Sequence, residues 1–126
     1  MGKSILIVED EPKSLKLTHD LLDISGYTTI QAVNGRQGIE KAKSEKPDLI
    51  LMDIMMPEMN GYSACSVIKS DPVTGKIPVI MLSAAGFELN KKLAVRVGAD
   101  GYLTKPIDLN ELLATVKSFL PDTEAE

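Results

Sequence analysis

The chain has 126 residues, enough for one ordinary domain but not for two. Its hydrophobic content of 44% and its charged content of 25% exclude a disordered or fibrous chain. The formal net charge of −4 argues against non-specific nucleic-acid binding, and the single cysteine excludes an internal disulfide and a cysteine-based zinc cluster.

Short apolar runs alternate with amphipathic stretches along the whole chain. The runs that predict strands are residues 4–8, 27–32, 48–52, 78–82 and 100–104. The stretches that predict helices are residues 12–25, 35–45, 61–70, 88–97 and 108–120. Strands that alternate with helices form parallel sheets covered on both faces, so the pattern predicts an α/β fold.

The first predicted helix illustrates how the helical faces are assigned. Asp10 or Glu11 is expected to cap it, with Pro12 in its first turn and Gly26 after its end. The apolar residues expected to face the sheet are Leu17, Leu21 and Leu22, with Ser14, Thr18 and Ser25 on the same face. Leu15 falls outside this stripe, so the pattern predicts that Leu15 is exposed.

Polar side chains stand at the carboxyl ends of four predicted strands. Glu9 and Asp10 follow the first strand, Asp53 follows the third, Ser83 the fourth and Lys105 the fifth. In an open α/β sheet, ligands bind outside the carboxyl ends of the strands. We therefore expect carboxylates, a hydroxyl and an ammonium group to gather at one edge.

Gathered carboxylates repel one another unless they are protonated, paired or bound to a cation. Oxygen ligands favour a hard divalent ion such as Mg²⁺, and the single histidine, His19, argues against a transition-metal site. A carboxylate that faces a lysine and a hydroxyl can also act as a nucleophile toward phosphorus. The pattern thus favours a magnesium site that supports phosphoryl chemistry.

Four short motifs occur in a fixed order: residues 7–11 (IVEDE), 49–61 (LILMDIMMPEMNG), 81–84 (MLSA) and 101–107 (GYLTKPI). Over residues 3–120 the chain resembles the receiver domains of bacterial two-component response regulators. The resemblance implies a flavodoxin-like (βα)5 three-layer sandwich, with a five-stranded parallel sheet in the order 2-1-3-4-5. It also implies one receiver domain over residues 1–120. Pro121 and the three acids that follow it predict a short disordered acidic tail over residues 121–126.

The resemblance implies roles for the polar residues at the sheet edge. Asp53 would accept the phosphoryl group, and Lys105 and Ser83 would act with it as catalytic residues. Mg²⁺ would be bound by Asp53 and Asp10, by Glu9 through water, and by a backbone carbonyl. That carbonyl belongs to Met55.

The resemblance also implies a conformational response to phosphorylation. Ser83 would move toward the phosphoryl group and Tyr102 would turn inward behind it, so both are switch residues. The peptide bond between Lys105 and Pro106 is expected to be cis.

The partners implied by the resemblance are proteins. The phosphodonor would be a histidine kinase or a histidine phosphotransfer protein, which we expect to dock beside Leu15. A downstream target would bind the surface of the fourth helix, fifth strand and fifth helix. We expect a cytoplasmic protein that is a monomer or a weak phosphorylation-dependent dimer. It is not expected to bind nucleic acid directly or to insert into a membrane. The only reactions that it is expected to catalyse are its own phosphorylation and dephosphorylation. The first helix is similar to that of the cell-division regulators.

Other interpretations stay open. A phosphatase of the haloacid-dehalogenase type also uses an aspartate nucleophile with Mg²⁺, but it would need a second aspartate where Met55 stands. A pseudo-receiver, which never takes phosphate, would lack an acceptor, metal or lysine position, and none is missing here. A receiver excised from a larger hybrid kinase or regulator would share every motif.

Overall fold

The computed structural model describes residues 3–84 and 90–121. Strands and helices alternate along these residues as the sequence predicts. The strands are β1 (Ser4–Val8), β2 (Thr28–Ala32), β3 (Leu49–Asp53), β4 (Val79–Ser83) and β5 (Gly101–Thr104). The helices are α1 (Pro12–Ile24), α2 (Gly35–Glu45), α3 (Gly61–Ser70), α4 (Lys91–Arg96) and α5 (Leu109–Phe119). Residues 88–89 of the predicted fourth helix and residues 122–126 of the predicted tail lie outside the described residues.

The five strands form one parallel sheet in the order β2-β1-β3-β4-β5. This order confirms the flavodoxin-like prediction. In the sheet register, Val8 pairs with Met52 and Asp53 pairs with Leu82. All residues of β3 and β4 are buried, because helices cover both faces of the central strands. The carboxyl ends of β1, β3 and β4 therefore meet at one edge.

Alternate residues of each strand point to opposite faces, and two apolar clusters result. On one face Leu6 and Met52 belong to a cluster that also holds residues of α2, α3 and α4. On the other face Ile7 and Leu51 belong to a cluster that also holds residues of α1 and α5. The molecule is thus a three-layer sandwich with the sheet in the middle.

Each helix begins with a side chain that accepts a hydrogen bond from the backbone N–H three residues later. The capping residues are Glu11, Asn34, Asn60, Asn90 and Asp108. Such a cap contributes about 1 kcal/mol, and it sets the residue at which each helix starts. Each helix follows a strand, so the residue at which the helix begins is also the residue at which the loop at the carboxyl edge of the sheet ends.

The predicted inward face of α1 is confirmed at Thr18 and Leu22 and is wrong at Leu15 and Leu17. Leu15 is only 9% exposed and packs with Leu22 in the cluster shared with α5, whereas Leu17 is 45% exposed. The leucines of α1 support two overlapping stripes, and periodicity alone does not choose between them. The buried face is Leu15, Thr18 and Leu22, which repeats at intervals of three and four residues.

The helices range from 6 to 13 residues over residues 3–84 and 90–121, and none of them qualifies as a membrane span. A helix needs about 20 residues to cross a bilayer.

Candidate functional site

Three polar residues from distant parts of the chain meet at the carboxyl edge of the sheet. Glu9 follows β1, Asp53 ends β3, and Lys105 follows β5. The Lys105 Nζ lies 3.1 Å from Asp53 Oδ1 and donates a hydrogen bond to Glu9 Oε1. Glu9 is 1% exposed and Asp53 is 3% exposed. The Lys105 ammonium group therefore pairs with two buried carboxylates.

The backbone explains how Lys105 reaches this position. Its N–H donates to the carbonyl of Ser83 at 2.8 Å, which extends the pairing of β4 with β5 by one residue. The Lys105–Pro106 peptide bond is cis, as expected. The lysine side chain then projects from the end of β5 toward β3 and β1.

Asp10 completes a group of three carboxylates with Glu9 and Asp53, in which one oxygen of each lies within 4.8 Å of the others. Asp10 is exposed while the other two are buried, so the group opens to solvent on one side. The second carboxylate oxygen of Glu9 accepts from the Glu11 N–H at 3.3 Å. Three convergent carboxylate oxygens with a solvent-facing side are a donor set that suits Mg²⁺ with retained waters.

Burial decides the direction of the carboxylate pKa values. Burial raises the pKa of Asp53, although the charge and hydrogen bond of Lys105 act in the opposite direction. The pKa of Glu9 is raised by burial and by the charge of Asp53, against the hydrogen bond from Lys105. For Lys105 burial lowers the pKa, but the bond to Glu9 and the charge of Asp53 outweigh it and the net pKa is raised. With one cation for three acids, the ionised site retains an uncompensated negative charge.

Met55 lies close to Asp53 along the chain, and Ser83 lies close to it on the neighbouring strand of the sheet. Ser83 ends β4, is 2% exposed, and follows the residue that pairs with Asp53. Its hydroxyl donates to the carbonyl of Ala84 at 3.4 Å. Met55 stands two residues beyond Asp53 with its side chain 55% exposed. Both residues therefore lie near Asp53 in the backbone, and their roles as hydroxyl donor and carbonyl ligand stay predictions.

Tyr102 lies apart from the carboxylates. It pairs with Met81 in the sheet, its side chain is half exposed, and the Lys91 Nζ lies 5.8 Å from the centre of its ring. The ring therefore borders α4 at the molecular surface.

Leu15 is not at the accessible surface, because it is buried between α1 and the sheet. Its burial contradicts the exposed docking position expected for it.

The loop after Asp53 is held close to the acceptor by Gly61. The Gly61 N–H donates to the carbonyl of Ile54 at 2.9 Å. A Cβ atom at Gly61 would lie 2.3 Å from the carbonyl oxygen of Asp53, so any side chain would collide with the backbone. The start of α3 is therefore packed directly against the peptide group of the acceptor.

The sequence does not predict a contact made by the first turn of α3. The hydroxyl of Tyr62, in the first turn of α3, accepts from the Asn90 N–H at 3.1 Å. The two residues are 28 positions apart, and neither belongs to a motif that indicates the other. The only available signal is Asn90 itself, a residue typical of helix starts.

A family model described as the response regulator receiver domain matches residues 5–117. The chain belongs to the response regulator receiver family. It is 38% identical over 122 residues to the polar-differentiation response regulator DivK of Brucella anthropi, covering 97% of this chain and 99% of that one. It is 39% identical to the transcriptional regulatory protein PhoP of Bacillus subtilis, of which it spans about half the length, 51%. The match confirms the resemblance on which the sequence interpretation depends.

Solved structures of receivers have the same fold. The chemotaxis protein CheY4 of Vibrio cholerae superimposes with a TM-score of 0.87 at 28% identity, covering 94% of this chain and 99% of that one. The receiver domain of a sensor histidine kinase from Pseudomonas aeruginosa superimposes with a TM-score of 0.87 at 29% identity, covering 95% and 98%. That structure has a magnesium ion coordinated in its active site cleft.

Proposed function

We propose that this receiver is a single-domain response regulator that accepts a phosphoryl group on Asp53 in a Mg²⁺-dependent reaction. The observation that supports this most directly is the position of the buried Asp53 carboxylate, 3.1 Å from the Lys105 ammonium and beside Glu9 and Asp10. A buried nucleophile next to a fixed cation is what transfer of an anionic group requires.

In the proposed reaction, a carboxylate oxygen of Asp53 attacks the phosphorus of a phosphohistidine on a histidine kinase or histidine phosphotransfer protein. The oxygen–phosphorus bond forms as the phosphorus–nitrogen bond breaks, and the leaving imidazole nitrogen keeps the electron pair and takes up a proton. Lys105, held by Glu9, offsets charge on the phosphoryl oxygens, and the Ser83 hydroxyl donates a hydrogen bond to one of them.

The residues that would hold Mg²⁺ are Glu9, Asp10, Asp53 and the backbone carbonyl of Met55. Glu9 acts through water, because its first carboxylate oxygen is already bonded to Lys105. When bound, Mg²⁺ would neutralise charge on the transferring phosphoryl group. Asp10 keeps the site open to solvent, so retained waters complete the coordination.

The response would be delivered through α4, β5 and α5, with Ser83 and Tyr102 as switch residues. Tyr102 borders a surface cavity of about 240 Å³ between α4 and β5, and Val95 on the same helix is 76% exposed. A phosphoryl group on Asp53 would favour one of two arrangements of this surface, and a downstream protein would bind one of them better.

The proposal includes the organisation of the chain. The receiver would occupy residues 1–120, followed by an acidic tail over residues 121–126, in a cytoplasmic monomer or weak phosphorylation-dependent dimer. Direct nucleic-acid binding and membrane insertion are not expected. The chain matches 99% of DivK and 51% of PhoP, so a receiver of a larger regulator is a second candidate beside the single-domain form. The length of the full reading frame decides between them.

The decisive test is incubation with acetyl phosphate and Mg²⁺, followed by intact mass measurement. We expect one added phosphoryl group in the wild type and in Asp23→Asn, which removes an exposed carboxylate from α1. Asp53→Asn is expected to take up none. Absence of uptake by a folded wild type that binds Mg²⁺ would contradict the proposal and favour a pseudo-receiver.

A further inference from the structure

The amino-terminal end of α4 is held by a hydrogen bond from another helix. The Asn90 N–H donates to the Tyr62 hydroxyl at 3.1 Å, and the Asn90 side chain accepts from the Leu93 N–H at 3.0 Å. Within α4 (Lys91–Arg96) only Ala94 is buried, while Leu93 packs partly buried against the same core cluster, so this six-residue helix is held by few apolar side chains. The hydrogen bond from Asn90 to Tyr62 therefore adds a specific polar contact to this limited packing.

Tyr62 connects this contact to the phosphoacceptor. Its ring is 8% exposed and packs in the core cluster on the α3 side of the sheet. The preceding residue, Gly61, is bonded to Ile54 and has no space for a Cβ against the Asp53 carbonyl. Because the backbone of Asp53 and the start of α3 are in direct contact, a shift of one would displace the other and move the Tyr62 hydroxyl.

The two ends of α4 are attached differently. At its carboxyl end, the Cys65 thiol lies 3.5 Å from the Val97 carbonyl, and Lys69 forms an ion pair of 3.0 Å with Asp100. Between α3 and α4 there is an open cavity of about 390 Å³, lined by Tyr62, Ser66 and Leu93 among others. A shift of the amino-terminal end of α4 would therefore disturb the partly buried Leu93 but not the buried Ala94, and it would have open space on the α3 side.

We propose that the Tyr62 hydroxyl is a positioning group that holds α4 in its unphosphorylated arrangement, and that a phosphoryl group on Asp53 favours release of the Tyr62–Asn90 hydrogen bond. This inference rests on the proposed function and names how that function is regulated. Asn90 is exposed, so water satisfies its N–H after release. The hydrogen bond then stabilises one of the two states, and its removal shifts the population toward the other.

The first test is Tyr62→Phe, which keeps the buried ring and removes only the hydroxyl. Amide hydrogen exchange is measured at Leu93 and Ala94, whose N–H groups bond to the side chain and carbonyl of Asn90. We expect amide exchange to be about fivefold faster in the variant, which is the ratio that corresponds to the net free energy of one hydrogen bond. The control Ser66→Ala removes a hydroxyl from the same cavity and is expected to exchange as the wild type does. Unchanged exchange in Tyr62→Phe would overturn the proposal.

The second test separates coupling from a purely structural role. Beryllofluoride, a non-covalent phosphoryl mimic, is titrated in the presence of Mg²⁺ into the wild type, Tyr62→Phe and Ser66→Ala. Because coupling between sites is reciprocal, Tyr62→Phe is expected to bind beryllofluoride up to about fivefold more tightly. Faster exchange with an unchanged affinity would overturn the coupling. If the wild type binds no beryllofluoride and takes no phosphate, the proposed function itself fails, whereas equal binding by all three proteins rejects only the Tyr62 proposal.

Discussion

At the scale of single residues, Lys105 is the group on which the site depends. It pairs with Asp53 at 3.1 Å and with Glu9, and both acids are almost fully buried. A buried carboxylate left without its partner is costly, because desolvation is no longer offset. If Mg²⁺ binds as proposed, the same ammonium group would compete with it for the carboxylate oxygens.

Lys105→Met should therefore lower the free energy of unfolding and increase the stabilisation that Mg²⁺ provides. We expect the free energy of unfolding without metal to fall by about 2 kcal/mol, less than for a fully enclosed pair because Asp10 opens the site to solvent. Denaturant unfolding with and without Mg²⁺ measures both effects. Lys117→Met, on the exposed side of α5, is the matched control and should change neither. An equal gain from Mg²⁺ in wild type and Lys105→Met would contradict the competition.

The raised pKa of Asp53 predicts a pH dependence. Since burial holds this pKa above its ordinary value of 3.8, the unfolded chain loses the proton first as pH rises. The stability contributed by the protonated acid is complete below 3.8 and is lost as pH rises through the folded pKa. We expect Asp53→Asn to be more stable than wild type at pH 7 without Mg²⁺.

This difference should shrink as pH falls toward the ordinary aspartate value, because both proteins then carry a neutral group at residue 53. Chemical denaturation across this range measures it. A wild type that is as stable as Asp53→Asn at pH 7 without Mg²⁺ would show that Lys105 fully offsets the burial of the carboxylate.

At the scale of elements, α1 shows how packing selects one helical face. Its leucines at residues 15, 17, 21 and 22 allow more than one apolar stripe. The side that carries Leu15, Thr18 and Leu22 packs against the sheet and α5. Leu17 points away and is 45% exposed. The choice follows from the position of α1 between two partners, which local periodicity does not contain.

Truncation of the two leucines should separate these faces. Leu15→Ala is expected to cost about 2–4 kcal/mol of unfolding free energy, because it removes buried methyl groups and leaves a cavity. Leu17→Ala, the same chemical change on the exposed face, should cost under about 1 kcal/mol. Equal losses, measured by denaturant unfolding, would contradict the assigned face.

At the scale of the whole molecule, parallel strand order is what assembles the site. Residues as distant in sequence as Glu9 and Lys105, 96 positions apart, meet because β1, β3, β4 and β5 end at the same edge. Any ligand that binds only this folded arrangement stabilises the entire domain by mass action. A metal ion bound at this edge would therefore raise the free energy of unfolding of the whole domain.

Mg²⁺ at 100 times its dissociation constant should raise the free energy of unfolding by about 2.7 kcal/mol. Asp10→Asn removes the exposed carboxylate of the group and is expected to lose most of this gain, with little loss of stability in the absence of metal. Asp23→Asn should keep the full gain. If Asp10→Asn responds to Mg²⁺ as the wild type does, Asp10 is not a ligand.

Local features of the sequence determined the alternation of strands and helices, because apolar runs, helix caps and glycine or proline breaks act over a few residues. Motif order and spacing added the family, and with it the strand order and the edge at which Asp53, Ser83 and Lys105 lie. Only the tertiary structure decided which face of α1 is buried, that Lys105 bonds to both Glu9 and Asp53, and that Tyr62 holds Asn90. These contacts join residues that are distant in sequence, and their partners are chosen by packing and burial after the elements are in place.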